Sequence, residues 1–439
     1  MKKTLLSLTI IMSTLLSSNG QIWNTMALGL GNNSNAVKAI AENPVTHEIY
    51  AGGTFTGTLN YLAKWNGSSW VELGTGVSGP VYALAFKNQE LYVGGLFSSA
   101  GGVAVNNIAK WAGSAWSDVG GGFNDQVNCI FINSLSGSVY AGGKFSLASG
   151  LAMNHISKLV SNTWNQMGAG IGANVNAITE YNSSIYCGSD MTSTPLNRYD
   201  GTSWSAIPST DLTGGKIYAL ASYGGSLYVG GDFSIPTFAA AKFNGTTWGT
   251  IQTNFGVNDK VYALYKGYNN ILYLGGKFTN LGVGGLASYA AKITSVTNPI
   301  QTITLSTSTV NGEVYAISSQ SYKPVIGGTF SSPATNVAIT SVSISIEELN
   351  DLIIEKSFFP NPAHERATLT VSTKQNFLKP DIKLFDLQSR SIGNVPTTIE
   401  NKNNSFEITL DLHSLAPGNY YYTVTEEGKA VFSDKFIVE

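Results

Sequence analysis

The sequence predicts an all-β protein: seven four-stranded sheets set in a ring, followed by a small antiparallel sandwich. Three observations carry this reading. A phrase typified by Tyr50-Ala-Gly-Gly-Thr-Phe55 returns from Tyr92, Tyr140, Tyr186, Tyr228, Tyr273 and Val325, at intervals of 42 to 52 residues. Such a period marks one supersecondary unit copied along the chain, each copy burying its apolar face on its neighbours. Charged residues make up only 12% while glycine reaches 48, a turn-rich β composition set against the roughly 25% charged residues of an average chain. Beyond residue 357 the repeat gives way to alternating strands punctuated by Pro417-Gly418 and Glu427-Gly428 turns.

In chain order, Lys2 and Lys3 precede an apolar run from Leu5 to Leu16 and the small residues of Ser17-Ser-Asn-Gly20. This reads as a secretory signal peptide over 1–20, too short to span a bilayer as a mature helix. No cysteine follows it, which argues against a lipoprotein anchor. The mature chain is expected to have no transmembrane segment. With a net charge of −2 and no basic run, neither a nucleic-acid footprint nor a polybasic membrane patch is present.

Residues 21–345 form the repeat region. Each copy divides into four short segments, a to d, that alternate apolar and polar residues between Gly, Asn or Ser turns. In the second copy, a is Val81-Tyr-Ala-Leu-Ala85, b is Leu91-Tyr-Val-Gly-Gly95, c is Ile108-Ala-Lys-Trp111, and d begins at Trp116. Asn66-Gly67, Ala112-Gly113, Asp200-Gly201 and Asn244-Gly245 join c to d, where Asn-Gly and Asp-Gly supply the positive φ angles of a tight hairpin. Trp70, Trp116, Trp164, Trp204 and Trp248 open segment d and are expected to be buried. Cys129 and Cys187 take strand positions held elsewhere by Ala, Val or Leu; secretion permits a disulfide between them, and the expectation is two buried small apolar side chains. Trp23 opens a d segment before the first a, and the seventh copy lacks a d. The N-terminal strand therefore completes the last sheet, closing a seven-bladed β-propeller and protecting its edges.

The glycine pair after an apolar-Tyr strand, the Asp/Asn-Gly turn and the following Trp, as in Leu227-Tyr-Val-Gly-Gly231 through Trp248, resemble a kelch-type β-propeller. Ser189 replaces the second glycine in the fourth copy, Val325 replaces Tyr in the seventh, and the last two copies lack the Trp. After a linker over 346–357, residues 358–439 carry Phe358-Phe-Pro-Asn-Pro362, Ile382-Lys-Leu-Phe-Asp386, Leu410-Asp-Leu412, Leu415-Ala-Pro-Gly-Asn-Tyr420 and Lys435-Phe-Ile-Val438. In this order they resemble a type A C-terminal sorting domain of the type IX secretion system, with Ser389 where that family usually has Gly. The resemblance implies a bacterium of the Bacteroidetes group, the type IX machinery as partner, and removal of the domain on release or surface attachment. Its sorting motif falls on Pro360, Asn361, Pro362, Asp411, Pro417 and Gly418; the strand pattern itself reads as a small Ig-like sandwich.

Chemistry is scarce. Of four histidines, His364 and His413 belong to the tail, and His47 and His155 fall on connections at opposite faces of a propeller. A shared metal or a copper oxidase site is not expected, and no cofactor is called for. Asp200-Gly-Thr-Ser-Trp204 differs from a sialidase Asp-box, and Arg198 alone cannot form an arginine triad. Six basic residues in segment c, Lys64, Lys110, Lys158, Arg198, Lys242 and Lys292, read as an outer, snorkelling row. Recognition is placed in the d-to-a and b-to-c loops of one face. There Phe123, Asn124 and Asp125, and Phe255, Asn258 and Asp259, set an aromatic beside an amide and a carboxylate, a combination suited to sugars. The expectation is a secreted or surface binding protein, not an enzyme, for an unknown extracellular glycan or protein. The alternative is a polysaccharide hydrolase or lyase using carboxylates such as Asp125, Asp190, Asp232 and Asp259.

Overall fold

The computed structural model describes residues 23–26, 30, 35–57, 59–208, 215–233, 239–251, 256–267, 271–281, 289–293, 301–302, 310–320, 323–332, 334–340, 353–373, 377, 380–386, 391–393, 395–402, 404–426 and 429–439. The segment read as a signal peptide, most of the linker, and Phe255 lie outside them. Among the described residues every regular element is a strand, and no helix is long and apolar enough to cross a membrane.

Among the described residues, seven four-stranded antiparallel sheets precede residue 341. We number them I to VII by their first strands, Val37–Glu42, Val81–Lys87, Val127–Ile132, Val175–Tyr181, Lys216–Tyr223, Val261–Lys266 and Glu313–Gln320. Sheets I to VI each contain strands a to d in chain order. Sheet VII takes its fourth strand from the N-terminal Trp23–Thr25, which pairs antiparallel with Val337–Thr340 in the register Trp23↔Thr340 to Thr25↔Ala338. The first strand of each sheet lies beside the first strand of the next, and that of sheet VII lies beside that of sheet I.

The glycine pair makes this stacking possible. A Cβ on the first glycine would meet a β-branched side chain of the following sheet: Gly52 at 2.3 Å from Val81, Gly94 at 2.7 Å from Val127, Gly142 at 2.5 Å from Val175, Gly188 at 2.2 Å from Ile217, Gly230 at 2.6 Å from Val261, and Gly275 at 2.5 Å from Val314. Gly327 of sheet VII would meet Val37 of sheet I at 2.4 Å. Each Val or Ile fills the space its glycine leaves empty, a close approach of the kind that selects glycine within strands. The second glycine faces a carbonyl. A Cβ on Gly53 would lie 2.0 Å from the Ala36 oxygen, next to the bulge that shifts the register between Val37 and Ala39. Sheet IV carries Ser189 here, fully buried, its hydroxyl donating to the Pro195 carbonyl at 3.2 Å.

The tryptophans do more at the outer edge than fill space. Each indole N–H donates to a carbonyl at the outer end of the preceding sheet: Trp70 to Met26 at 3.2 Å, Trp116 to Leu73 at 3.2 Å, Trp164 to Val119 at 2.9 Å, Trp204 to Met167 at 2.8 Å, and Trp248 to Pro208 at 3.1 Å. The expectation of burial holds for Trp70, Trp116 and Trp164, while Trp204 and Trp248 are only half-buried; in all five a ring and a donor act together. Cys129 and Cys187 are free, and they pack with Val175 and Ile178. Burial raises both thiols, that of Cys129 to about 12, although its residue surface is only partly covered.

Residues 353–438 build two further four-stranded sheets. Their inward positions, including Leu369, Phe406, Ile408, Leu384, Val424 and Phe436, share one core. Among the described residues the core clusters of the seven sheets and of this region contain no common member.

Candidate binding site at the inner strand edge

The first strands alternate strictly near their start. In Val261-Tyr262-Ala263 the outer two are buried between sheets and the middle one is half-exposed, the period-2 pattern of a strand with two different faces. The same middle position holds Lys38, Tyr82, Asn128, Asn176, Tyr218, Tyr262 and Tyr315. Four of the seven are tyrosine, two are asparagine and one is lysine.

They form a continuous arrangement on the later sheets. Tyr218 and Tyr262 have ring centroids 5.5 Å apart, and Tyr262 and Tyr315 4.9 Å. The Lys38 ammonium then sits 3.1 Å from the Tyr315 ring centroid, a cation–π contact of about 0.5–2 kcal/mol. Burial pulls the Lys38 pKa down to about 8, and the charge of Glu313 partly opposes this. Burial raises the hydroxyls of all three tyrosines, that of Tyr315 to about 12. Asn128 and Asn176 are occupied with each other at 3.2 Å and with the carbonyls of Val175 and Ile217, both at 3.1 Å.

A charged rim adjoins the row. Lys216 faces Asp190 at 3.6 Å, Lys260 faces Asp232 at 2.8 Å, and Lys277 faces Glu313 at 4.0 Å. Asp190 also accepts from Asn174 at 3.1 Å and from Asn176 at 2.8 Å, and Glu313 accepts from the Tyr315 hydroxyl at 2.7 Å. Each carboxylate is thus held by a cation and, in two cases, by further donors.

The sequence-predicted site residues lie in loops at the start of the same strands but serve the loops themselves. Phe123 is 2% exposed and stacks on Phe145 at 4.0 Å, with Trp164 at 4.6 Å. It has no free face for a sugar, which corrects that expectation: the ring plugs the space between loop and sheet. Asn124 accepts from the backbone N–H groups of Ser146 at 3.0 Å and Leu147 at 2.8 Å. Asn258 does the same for Thr279 and Asn280, at 2.8 and 2.9 Å. Asn311 and Ser78 occupy equivalent positions in sheets VII and II, so a side-chain clamp joins the d-to-a connection to the b-to-c loop. Asp125 and Asp259 accept from the next residue's N–H at 2.6 and 2.8 Å.

The remaining polar candidates are structural too. His155 closes its loop with φ of 69°, donating its N–H to the Phe145 carbonyl at 2.9 Å. His47 lies 2.6 Å from Glu42, whose other oxygen accepts from Ser319 of sheet VII at 2.6 Å. Asp200 accepts from the backbone of Thr202 and Ser203, which lowers its pKa and identifies the hairpin as a turn. The basic residues of strand c stand opposite the strand-b tyrosines, as in Tyr92↔Lys110 and Tyr140↔Lys158, and Lys64 and Lys110 pair with Glu48 and Glu90, both at 2.7 Å. The seventh sheet pairs Val325 with Ile339, losing both members together.

In the tail, the Asn361 side chain accepts from the Ile437 N–H at 3.0 Å, and Ala363 bonds the Ile437 carbonyl and the Glu439 N–H. Asn361 and Ala363, beside Pro360 and Pro362, thereby hold the final strand. Asp411 accepts from His413, and the Tyr420 hydroxyl donates to Ala416 at 2.7 Å, closing the turn at Pro417 and Gly418.

Residues 357–439 match the family model of the secretion system C-terminal sorting domain. The tail indicates export by the type IX system to the cell surface or the extracellular space. No curated protein matches this chain. Among solved structures, the extracellular domain of a chain assigned as a hybrid two component system from B. thetaiotaomicron is similar at 14% identity and a TM-score of 0.51, over 93% of this chain and 59% of that one. U3-55K is similar at 11% identity and a TM-score of 0.51, over 71% of this chain and 97% of its own. At these identities the likenesses concern the fold alone.

Proposed function

We propose that the chain is a non-catalytic extracellular binding protein, with a seven-bladed, kelch-like β-propeller over 21–345 and a removable Ig-like sorting domain over 358–439. The propeller reading is supported by the glycine-to-valine contacts that run from sheet I through sheet VII and back to sheet I. The binding reading rests on one observation above all: the half-exposed row Tyr218, Tyr262 and Tyr315 capped by Lys38, side by side on the first strands of neighbouring sheets. Aromatic faces bordered by hydrogen-bonding groups suit a glycan, and a protein ligand is the competing outcome. A hydrolase would need one carboxylic acid kept protonated beside a second, free carboxylate; here Asp190, Asp232 and Glu313 are each engaged by lysine.

The experiment is a screen of the mature protein against immobilised glycans and extracellular-matrix proteins, run beside a reducing-end assay on soluble polysaccharides. Saturable glycan binding without release of reducing ends is the expected result. Turnover of any polysaccharide, abolished by a substitution at Asp190 or Asp232, would replace the binding reading with the hydrolytic one.

A further inference from the structure

Among the described residues of the rim, Lys38 makes no ion pair. Asp190, Asp232 and Glu313 each have a lysine partner, at 3.6, 2.8 and 4.0 Å, and Lys38 is the fourth cation on this arc. Its ammonium lies against the Tyr315 ring, and the nearby Glu313 is already engaged by Lys277 and by the Tyr315 hydroxyl. Among the described residues no acceptor takes a hydrogen bond from the Lys38 ammonium. An ammonium has three donors, and a half-buried one with none of them used by the protein is set for an incoming acceptor. An anion gains most from that position, because a charge-assisted hydrogen bond is roughly twice as strong as a neutral one.

The inner positions of sheets III and IV offer no comparable opening, since Asn128 and Asn176 satisfy each other and the neighbouring carbonyls. Unspent hydrogen-bonding capacity is therefore concentrated on Lys38. The geometry points to a site for a saccharide bearing an anionic group, with Lys38 receiving the anion and the half-exposed Tyr218–Tyr262–Tyr315 row bordering the adjoining sugar rings. This rests on the glycan-binding reading above. The anion can be a carboxylate, as in a uronate, or a sulfate ester; both present oxygen acceptors carrying negative charge.

Calorimetric titration of the mature full-length protein with three oligosaccharide sets tests it: neutral cello-oligosaccharides, oligogalacturonates, and sulfated carrageenan oligosaccharides. Binding is expected for an anionic set and not for the neutral one, and the set that binds distinguishes carboxylate from sulfate. Lys38→Met is expected to weaken that binding by about tenfold or more, Lys38→Arg to restore part of it, and Tyr262→Ala to abolish it. Lys242→Met, on an outer strand, is expected to leave binding unchanged and serves as the charge control. Folding of each variant is checked by tryptophan fluorescence. Equal binding of neutral and anionic sets, unmoved by Lys38→Met, would overturn the anion site while leaving the glycan reading intact. Binding to none of the three sets, together with saturable binding to a matrix protein, would overturn both.

Discussion

The indole of Trp164 donates to the carbonyl of Val119 at 2.9 Å, joining the outer strand of sheet III to the chain just beyond the outer strand of sheet II. Trp164 is also 2% exposed and packs on Phe123. Two contributions can therefore be separated. Trp164→Phe keeps most of the burial and loses the donor, an expected cost of about 1–3 kcal/mol with the carbonyl left unpaired. Trp164→Ala loses both and is expected to cost about 3–5 kcal/mol. All eight tryptophans lie between residues 23 and 248, so urea unfolding followed by their fluorescence reports the sheets and not the tail. Equal costs for the two variants would mean that the hydrogen bond contributes nothing.

The glycine joints predict a compensating pair. Gly94→Ala would bring a Cβ to 2.7 Å from Val127 and 3.1 Å from Ile130, an overpacking cost of about 1–3 kcal/mol. Val127→Ala in the same chain relieves the clash, so the double variant should be more stable than the sum of the two single changes implies. Strict additivity would show that the two side chains do not compete for one space.

Sheets I and VII are coupled through Glu42, which contacts His47 and Ser319, both at 2.6 Å. A double-mutant cycle of Glu42→Gln and Ser319→Ala is expected to yield a coupling energy of about 0.5–3 kcal/mol, between residues 277 positions apart. Zero coupling would mean that this contact does not hold the first and last sheets together.

Burial predicts two silent thiols. Cys129, raised to about 12, and Cys187, also raised, should resist a thiol-reactive chromophore at pH 8 in the folded protein and react fully in denaturant. Rapid labelling of the native protein would contradict the burial of both.

Lys38 ties recognition to a stability cost. Its ordinary value of 10.5 falls to about 8 on folding, so between those pH values the unfolded chain holds a proton that the folded chain has released. Unfolding free energy should therefore rise with pH across that window, relative to Lys38→Met. Below about pH 8 the buried charge opposes folding, and Lys38→Met should raise the melting temperature at pH 7. A lower melting temperature for that variant would reverse the assignment of burial as the dominant effect.

Much of the sheet organisation could be read from the chain because it rests on strict steric needs repeated in register. Gly52 and its counterparts exist because no side chain fits, and Trp70 and its counterparts because one ring and one donor must reach one carbonyl. The candidate site was hidden for the opposite reason. Lys38, Asn128 and Tyr262 share a structural position and no chemistry, so the repeat pattern passes over them; the available signal was the residue after the first buried Val or Ile of each first strand, a tyrosine in four sheets. Phe123 and Asn124 misled because an aromatic beside an amide in a loop looks the same whether it faces a ligand or closes the loop. The contact of Phe123 with Phe145, 22 residues away in sequence, decides between them.

A uniform socket between sheets also bears on how such a chain diversifies. Because Gly188 accepts Ile217 as Gly230 accepts Val261, a unit duplicated or exchanged within the array meets a matching surface on either side. The units are interchangeable parts as far as assembly is concerned. The inward residue of each is under no such obligation, so a new ligand preference can arise by swapping a unit or altering one side chain, with the joints left untouched.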